Sequence, residues 1–231
     1  HGTQDFTHTV YNSCNPAFVE WGRRVGVDNM YLYMGKLGLL SKTGIDLSGE
    51  AGTIIHKKEN VGAVELATMS FGQSFQITPV QMLRATSAII NGGKLVTPHF
   101  GMYTSTSDGS VVNEFAYSST EAAIELDTSA KMKTILEGVV SEGGGTKAYI
   151  EGYSIGGKTA TSQKLPRGSG KYISSFIGFA PADNPQVIAM CLIDEPTGVY
   201  YGGTIAAPVI KTLYENILPY LGIEQTEQLE K

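Results

Sequence analysis

Residues 156–161 read Gly-Gly-Lys-Thr-Ala-Thr, and this stretch decides how the C-terminal third of the chain is organised. Two glycines followed by β-branched residues point to a strand that another backbone can approach closely. The pleat puts Lys158 and Ala160 on one face and Thr159 and Thr161 on the other, unless a bulge intervenes. Around it lie three strand-like runs, 152–161, 172–181 and 187–195, split by polar turns at 166–170 and 182–185. Such short links favour antiparallel pairing. The chain then closes with an apolar helix over 206–221, with Pro208 in its first turn.

Upstream the period changes from two to nearly four. Residues 5–34 predict helix, broken at Asn15-Pro16, with Asn15 as the cap of the second segment. Residues 35–62 are turn-rich and 63–76 mixed. From Thr78 the chain spells a helix almost completely: Thr78 caps, Pro79 opens, Gln81 takes the capping-box position and Asn91-Gly92 ends it. Short strands with a turn at Asp108-Gly109 follow over 94–118. A further helix spans 129–141 and stops at Gly143-Gly144-Gly145. Helices followed by an antiparallel sheet and a last helix predict an α+β fold, mostly helical over 1–150 and sheet plus final helix over 151–222.

The 231 residues suffice for one large domain with a sizeable core, and a hydrophobic share of 42% is that of a globular chain. A net charge of −5 argues against nucleic acid or an anionic membrane surface as a partner. Two cysteines make no disulfide scaffold, and Cys191 falls in an apolar run. No stretch reaches the roughly 20 apolar residues of a membrane span.

Ser13 and Asn15 place a hydroxyl and an amide two residues apart at the first helix break, where polar tips can face a cleft. A serine acylated by a carbonyl substrate needs a base, a cation for the substrate's carboxylate and donors for the oxyanion. Lys158 supplies a cation. Taken alone, Ser-x-Asn is an ordinary cap and Lys-Thr an ordinary surface strand.

Together they resemble the transpeptidase domain of class B penicillin-binding proteins. The resemblance runs through 12–16 (Asn-Ser-Cys-Asn-Pro), 43–50 (Thr-Gly-Ile-Asp-Leu-Ser-Gly-Glu), 71–73 with 78–81, 156–161, 175–182 (Ser-Phe-Ile-Gly-Phe-Ala-Pro-Ala) and 201–208 (Tyr-Gly-Gly-Thr-Ile-Ala-Ala-Pro). The wording is closest to the sporulation-specific stage V members. The resemblance implies a β-lactamase/transpeptidase-like fold and D,D-transpeptidation of peptidoglycan stem peptides, inhibited by β-lactams. It implies that Ser13 shuttles protons, Asn15 binds the acyl-side amide and Lys158 sets the electrostatics. Thr159 and Thr161 would hold the substrate carboxylate, with the backbone N–H near Thr161 as half of the oxyanion hole. Ala160 stands where the family has glycine, so its methyl is expected to narrow the approach to the strand.

The resemblance also implies a nucleophilic serine in an S-x-x-K motif. None of the twelve residues before Ser13 fits, so a companion segment upstream of His1 is expected to carry it. The intact domain would add two strands to the three read here. An N-terminal membrane anchor outside this chain and an extracytoplasmic location are implied too, as is a membrane glycosyltransferase partner. The chemistry requires no cofactor. His1, Asp5 and Cys14, with His8 as substitute, nonetheless fall within fourteen residues and are candidate ligands of a structural zinc. Two other readings compete: a β-lactam hydrolase or sensor of the same fold, and a non-catalytic module that binds a cell-wall synthesis partner.

Overall fold

The computed structural model describes residues 1–120 and 123–225; the last residues of the expected single domain, 226–231, lie outside the described residues. In chain order the elements are α1 (Phe6–Tyr11), α2 (Asn15–Lys36), β1 (Ile54–Ile55), α3 (Ala63–Ser70), β2 (Phe75–Gln76), α4 (Pro79–Ile90), β3 (Leu95–Val96), β4 (Tyr103–Ser105), β5 (Val111–Glu114), β6 (Ser119–Thr120), α5 (Leu126–Ser141), β7 (Gly156–Gln163), β8 (Tyr172–Ala180), β9 (Val187–Asp194), α6 (Gly202–Ile205) and α7 (Ala207–Tyr220).

The C-terminal strands form one antiparallel sheet in the order β7-β8-β9. The β7–β8 register is continuous, pairing Lys158 with Ile177 and Thr159 with Phe176. One face packs Phe176 and Ala180 on Ile210, Tyr214 and Leu218 of α7. Tyr214 is fully buried there and satisfies its hydroxyl by donating to Gly178 O at 2.5 Å. The other face packs Phe179 and Ile188 on Ile90 of α4 and Leu136 of α5. The sheet is therefore the middle layer between α7 and the helices of the N-terminal part. β8 is buried along most of its length and β7 forms one edge.

The Thr78 cap forms as the sequence predicts. Its hydroxyl accepts from Gln81 N–H at 3.2 Å, and Gln81 Oε1 accepts from Thr78 N–H at 2.8 Å. Gln81 is fully buried yet satisfied, because its amide also donates to Ser41 O and Thr53 Oγ1. Four local expectations need correction. The cap of α2 is Cys14, and Asn15 is already its first residue. Gly26, at φ +75° and ψ 166°, kinks that helix, which apolar spacing alone conceals. Residues 63–70, read as mixed, form α3, started by Glu65 accepting from Gly62 N–H at 2.9 Å. α5 begins at Leu126, three residues before the expected start, because Leu126, Asp127 and Thr128 are all exposed and lie outside its buried face.

Candidate active site

The site begins with the way α1 ends. Ser13 N–H donates to Val10 O at 3.2 Å, and Cys14 N–H donates to Thr9 O at 3.1 Å. This is the Schellman pattern, in which the residue after the C-cap adopts a left-handed conformation and is usually glycine. Here it is Ser13, at φ +50°. A non-glycine residue in this conformation carries strain, and such strain concentrates where a side chain must be aimed. The turn ends one helix, starts the next and leaves Ser13 and Asn15 exposed.

Across from it, Lys158 Nζ donates to Ser13 Oγ at 2.8 Å, a contact between residues 145 positions apart. Burial pushes the Lys158 ammonium down to about 8. A desolvated ammonium loses its proton more readily, and among the described residues no carboxylate offsets this. The amine remains predominantly charged at neutral pH and becomes neutral only a little above it.

The structure answers how Lys158 and the two threonines reach one place. The strand has no bulge, so Lys158 lies on the α4–α5 side and Thr159 and Thr161 on the α7 side. The lysine's flexible stem bends around the sheet edge, bringing Nζ to 3.1 Å from Thr159 O and 3.5 Å from Thr159 Oγ1. Side-chain length reconciles the two faces. Because Thr159 O is met from outside the sheet, the backbone groups of alternate residues turn outward on this edge. Thr161, two residues on, shares that orientation and offers its N–H to a ligand laid along β7.

Thr161 is positioned by a second contact: Gly202 N–H, at the start of α6, donates to Thr161 Oγ1 at 3.0 Å. The hydroxyl proton of Thr161 is left to donate elsewhere. Gly202 has no room for a side chain, since a Cβ would lie 2.3 Å from both Ala160 O and Ser175 O. Gly203 is equally tight, 2.5 Å from Gly144 O, and Gly144 N–H donates to Tyr11 O at 3.2 Å. The glycine run at 143–145 thus ties the Ser13 turn to the sheet. The sequence signal for Gly202 is the paired glycine at 202–203.

Ala160 is exposed between Lys158 and Ser162. The proposed zinc ligands behave differently. Asp5 caps α1, accepting from His8 N–H at 2.7 Å, and also meets His8 Nδ1 at 2.8 Å. Those two bonds hold its carboxyl below the usual range. Cys14 is buried. Among the described residues no group of three or more His, Cys, Asp or Glu side chains gathers in a way that could hold a metal, so His1, Asp5 and Cys14 are not brought together as ligands. The Asp194-Glu195 pair is engaged by Lys164 and Lys171 in surface ion pairs.

A helical layer and a sheet edge meeting at a serine–lysine contact, with threonine hydroxyls and an outward backbone beside it, define the β-lactamase/transpeptidase class of fold. Comparison with known proteins makes the assignment more particular. Residues 1–215 match the family model described as the penicillin binding protein transpeptidase domain, and the chain belongs to that family. It is 41% identical over 237 residues to stage V sporulation protein D of Bacillus subtilis, covering 100% of this chain and 37% of that protein. It is 31% identical over 230 residues to "Probable peptidoglycan D,D-transpeptidase PenA" of Neisseria meningitidis, covering 97% of this chain and 38% of that one. Among solved structures it is similar to penicillin binding protein 3 of Mycobacterium tuberculosis complexed with ampicillin, with a TM-score of 0.87 at 26% identity. That match covers 98% of this chain and 53% of the other. The chain therefore spans well under half the length of these two curated relatives.

Proposed function

We propose that this chain forms the C-terminal part of a serine D,D-transpeptidase domain that cross-links peptidoglycan stem peptides. The observation that carries the proposal is the 2.8 Å contact between Lys158 Nζ and Ser13 Oγ at the open edge of β7. In this reading a preceding segment supplies the S-x-x-K serine. Its hydroxyl attacks the carbonyl of the penultimate D-Ala, and the terminal D-Ala leaves as an amine that takes up a proton. A neighbouring stem peptide's amine then attacks the ester, releases the serine and forms the cross-link.

Each residue here has work in that scheme. Lys158 donates to Ser13 Oγ, so the Ser13 O–H points away from the lysine and can pass a proton to the serine or the departing amine. The ammonium and the Thr159 and Thr161 hydroxyls converge on the donor's terminal carboxylate. The outward N–H of Thr161 faces the position of the oxyanion. Asn15, exposed at the start of α2, reaches the acyl-side amide. These steps use only hydroxyl, amide and ammonium groups. β-Lactams enter the same edge as donor mimics, in keeping with the ampicillin complex of the mycobacterial relative.

Similarity to the stage V sporulation protein supports a role in sporulation, and the proposal extends this to spore-cortex synthesis on the extracytoplasmic face of the membrane, beside a glycosyltransferase. Among the described residues no helix is long and apolar enough to cross a membrane. In this reading the membrane anchor belongs to a segment preceding this chain.

The test uses the full-length protein with a stem pentapeptide ending in D-Ala-D-Ala and a fluorescent penicillin. Covalent labelling, D-Ala release and a cross-linked dimer are expected. Labelling followed by rapid hydrolysis, with no dimer, would instead identify a β-lactamase. Absence of labelling would leave a non-catalytic module.

A further inference from the structure

The helical layer and the edge strand touch at a second point that the chemistry above does not use. Gln73 Nε2 donates to Ser162 Oγ at 3.2 Å, and Ser162 Oγ lies 3.4 Å from Gly72 O, to which it donates. Ser162 shares a face of β7 with Lys158 and Ala160. The loop that meets it is held firmly from behind. Gly72 and Ser74 both sit at positive φ, +85° and +67°. Gly72 N–H donates to Met69 O, Gln73 N–H to Thr68 O, and the Ser74 and Thr68 hydroxyls lie 2.8 Å apart. α3, which presents this loop, packs on α2, where Gly22 leaves room for nothing but Ser70. The loop and the Ser13 turn are thus two ends of one rigid helical pair.

The two contacts bracket the open edge. Gly156 and Gly157, at the start of β7, are buried, so a ligand whose carboxylate sits by Lys158 can extend only toward Ser162. Four strand steps separate Lys158 from Ser162, roughly 13 Å. An extended peptide at about 3.3–3.6 Å per residue fills that length with about four residues. We infer that Gln73, acting through Ser162, is a positioning residue that fixes the far end of the donor cleft and so reads the upstream residues of the stem peptide. This rests on the transpeptidase reading: donors of two residues end short of Ser162, and longer ones reach it.

The experiment measures D-Ala release by the full-length protein from N-acetyl-D-Ala-D-Ala and from a stem pentapeptide. The variants are Gln73→Ala, Ser162→Ala, their double mutant and Ser162→Thr. In each alanine variant the ratio of pentapeptide KM to short-donor KM should rise about fivefold, the scale of one lost hydrogen bond, with kcat for the pentapeptide held. The double mutant should match Ser162→Ala, because that variant already removes the Gln73 contact together with the bond to Gly72 O. Ser162→Thr keeps the hydroxyl and should restore the wild-type ratio. Equal KM shifts for both donors, additive losses in the double mutant, or no rescue would overturn the inference while leaving transpeptidation intact. No D-Ala release by the wild type from either donor would remove the transpeptidase reading and the inference with it.

Discussion

Ser13 holds its left-handed conformation only because the α1–α2 turn demands it, and this can be weighed by replacing it in two ways. Ser13→Ala and Ser13→Gly both delete the hydroxyl that meets Lys158, so both lose the same hydrogen bond. They differ in backbone strain. An L-residue at φ +50° costs about 1–2 kcal/mol relative to glycine. Glycine's freer unfolded chain returns about 0.4–1 kcal/mol of that difference. The net expectation is that Ser13→Gly is more stable than Ser13→Ala by about 1 kcal/mol. For a domain of this size that is roughly 2–4 °C in Tm. Thermal denaturation of the two variants in the full-length protein measures the difference, and second-order acylation by a fluorescent penicillin measures function. Acylation should fall by a comparable factor in both. If Ser13→Ala equals or exceeds Ser13→Gly in stability, the strain assigned to the turn is absent and the reasoning fails.

Other consequences follow from the same geometry. Lys158 has a folded pKa of about 8, below its ordinary value of 10.5, so burial of its charge opposes folding fully below pH 8. That penalty is relieved as pH rises from about 8 to 10.5, whereas loss of the ammonium in the folded protein, centred near pH 8, should reduce acylation. A pH–rate profile should therefore fall with a midpoint near 8, and Lys158→Arg, which stays charged, should abolish that limb; an unchanged limb would assign it to another group. Gly202→Ala drives a methyl into two carbonyl oxygens and dislodges the N–H that holds Thr161. It should cost about 3 kcal/mol, from overpacking and one lost hydrogen bond. Gly52→Ala, with nothing within 4 Å of the new carbon, should stay within about 0.5 kcal/mol by denaturant titration. Ala160→Gly opens the approach to β7 and should raise acylation by bulky β-lactams several-fold while costing about 0.5–1 kcal/mol of stability; equal rates for the two proteins would show that the methyl does not narrow the cleft.

The sequence made the layered plan readable because its signals were local. The Thr78–Gln81 capping box, the three alternating runs and the glycine stop after α5 each depend on neighbours in the chain. Lys158 and Ser13 were individually unremarkable, and only their joint resemblance to a family pointed to one cleft. What stayed hidden depends on contacts that exist only in the folded chain. Nothing in 13–15 announces a Schellman turn with serine in the glycine position, because Ser13's strain is set by bonds to Thr9 and Val10 formed only on folding. The roles of Gly202 and Gln73 likewise come from contacts with residues 41 and 89 positions away. The zinc reading failed to assemble for the complementary reason. Spacing suggested shared ligands, but Asp5 is committed to capping α1, a use that the sequence also permits.

A crystal structure of the full-length protein acylated by benzylpenicillin tests the central claim most directly. The ligand's carboxylate should lie within hydrogen-bond distance of the Thr159 or Thr161 hydroxyl. Its carbonyl oxygen should face the outward N–H of Thr161, with Ser13 and Lys158 still in contact beside the ester. A penicilloyl group seated away from β7, with Ser13 and Lys158 separated and facing bulk solvent, would contradict the account.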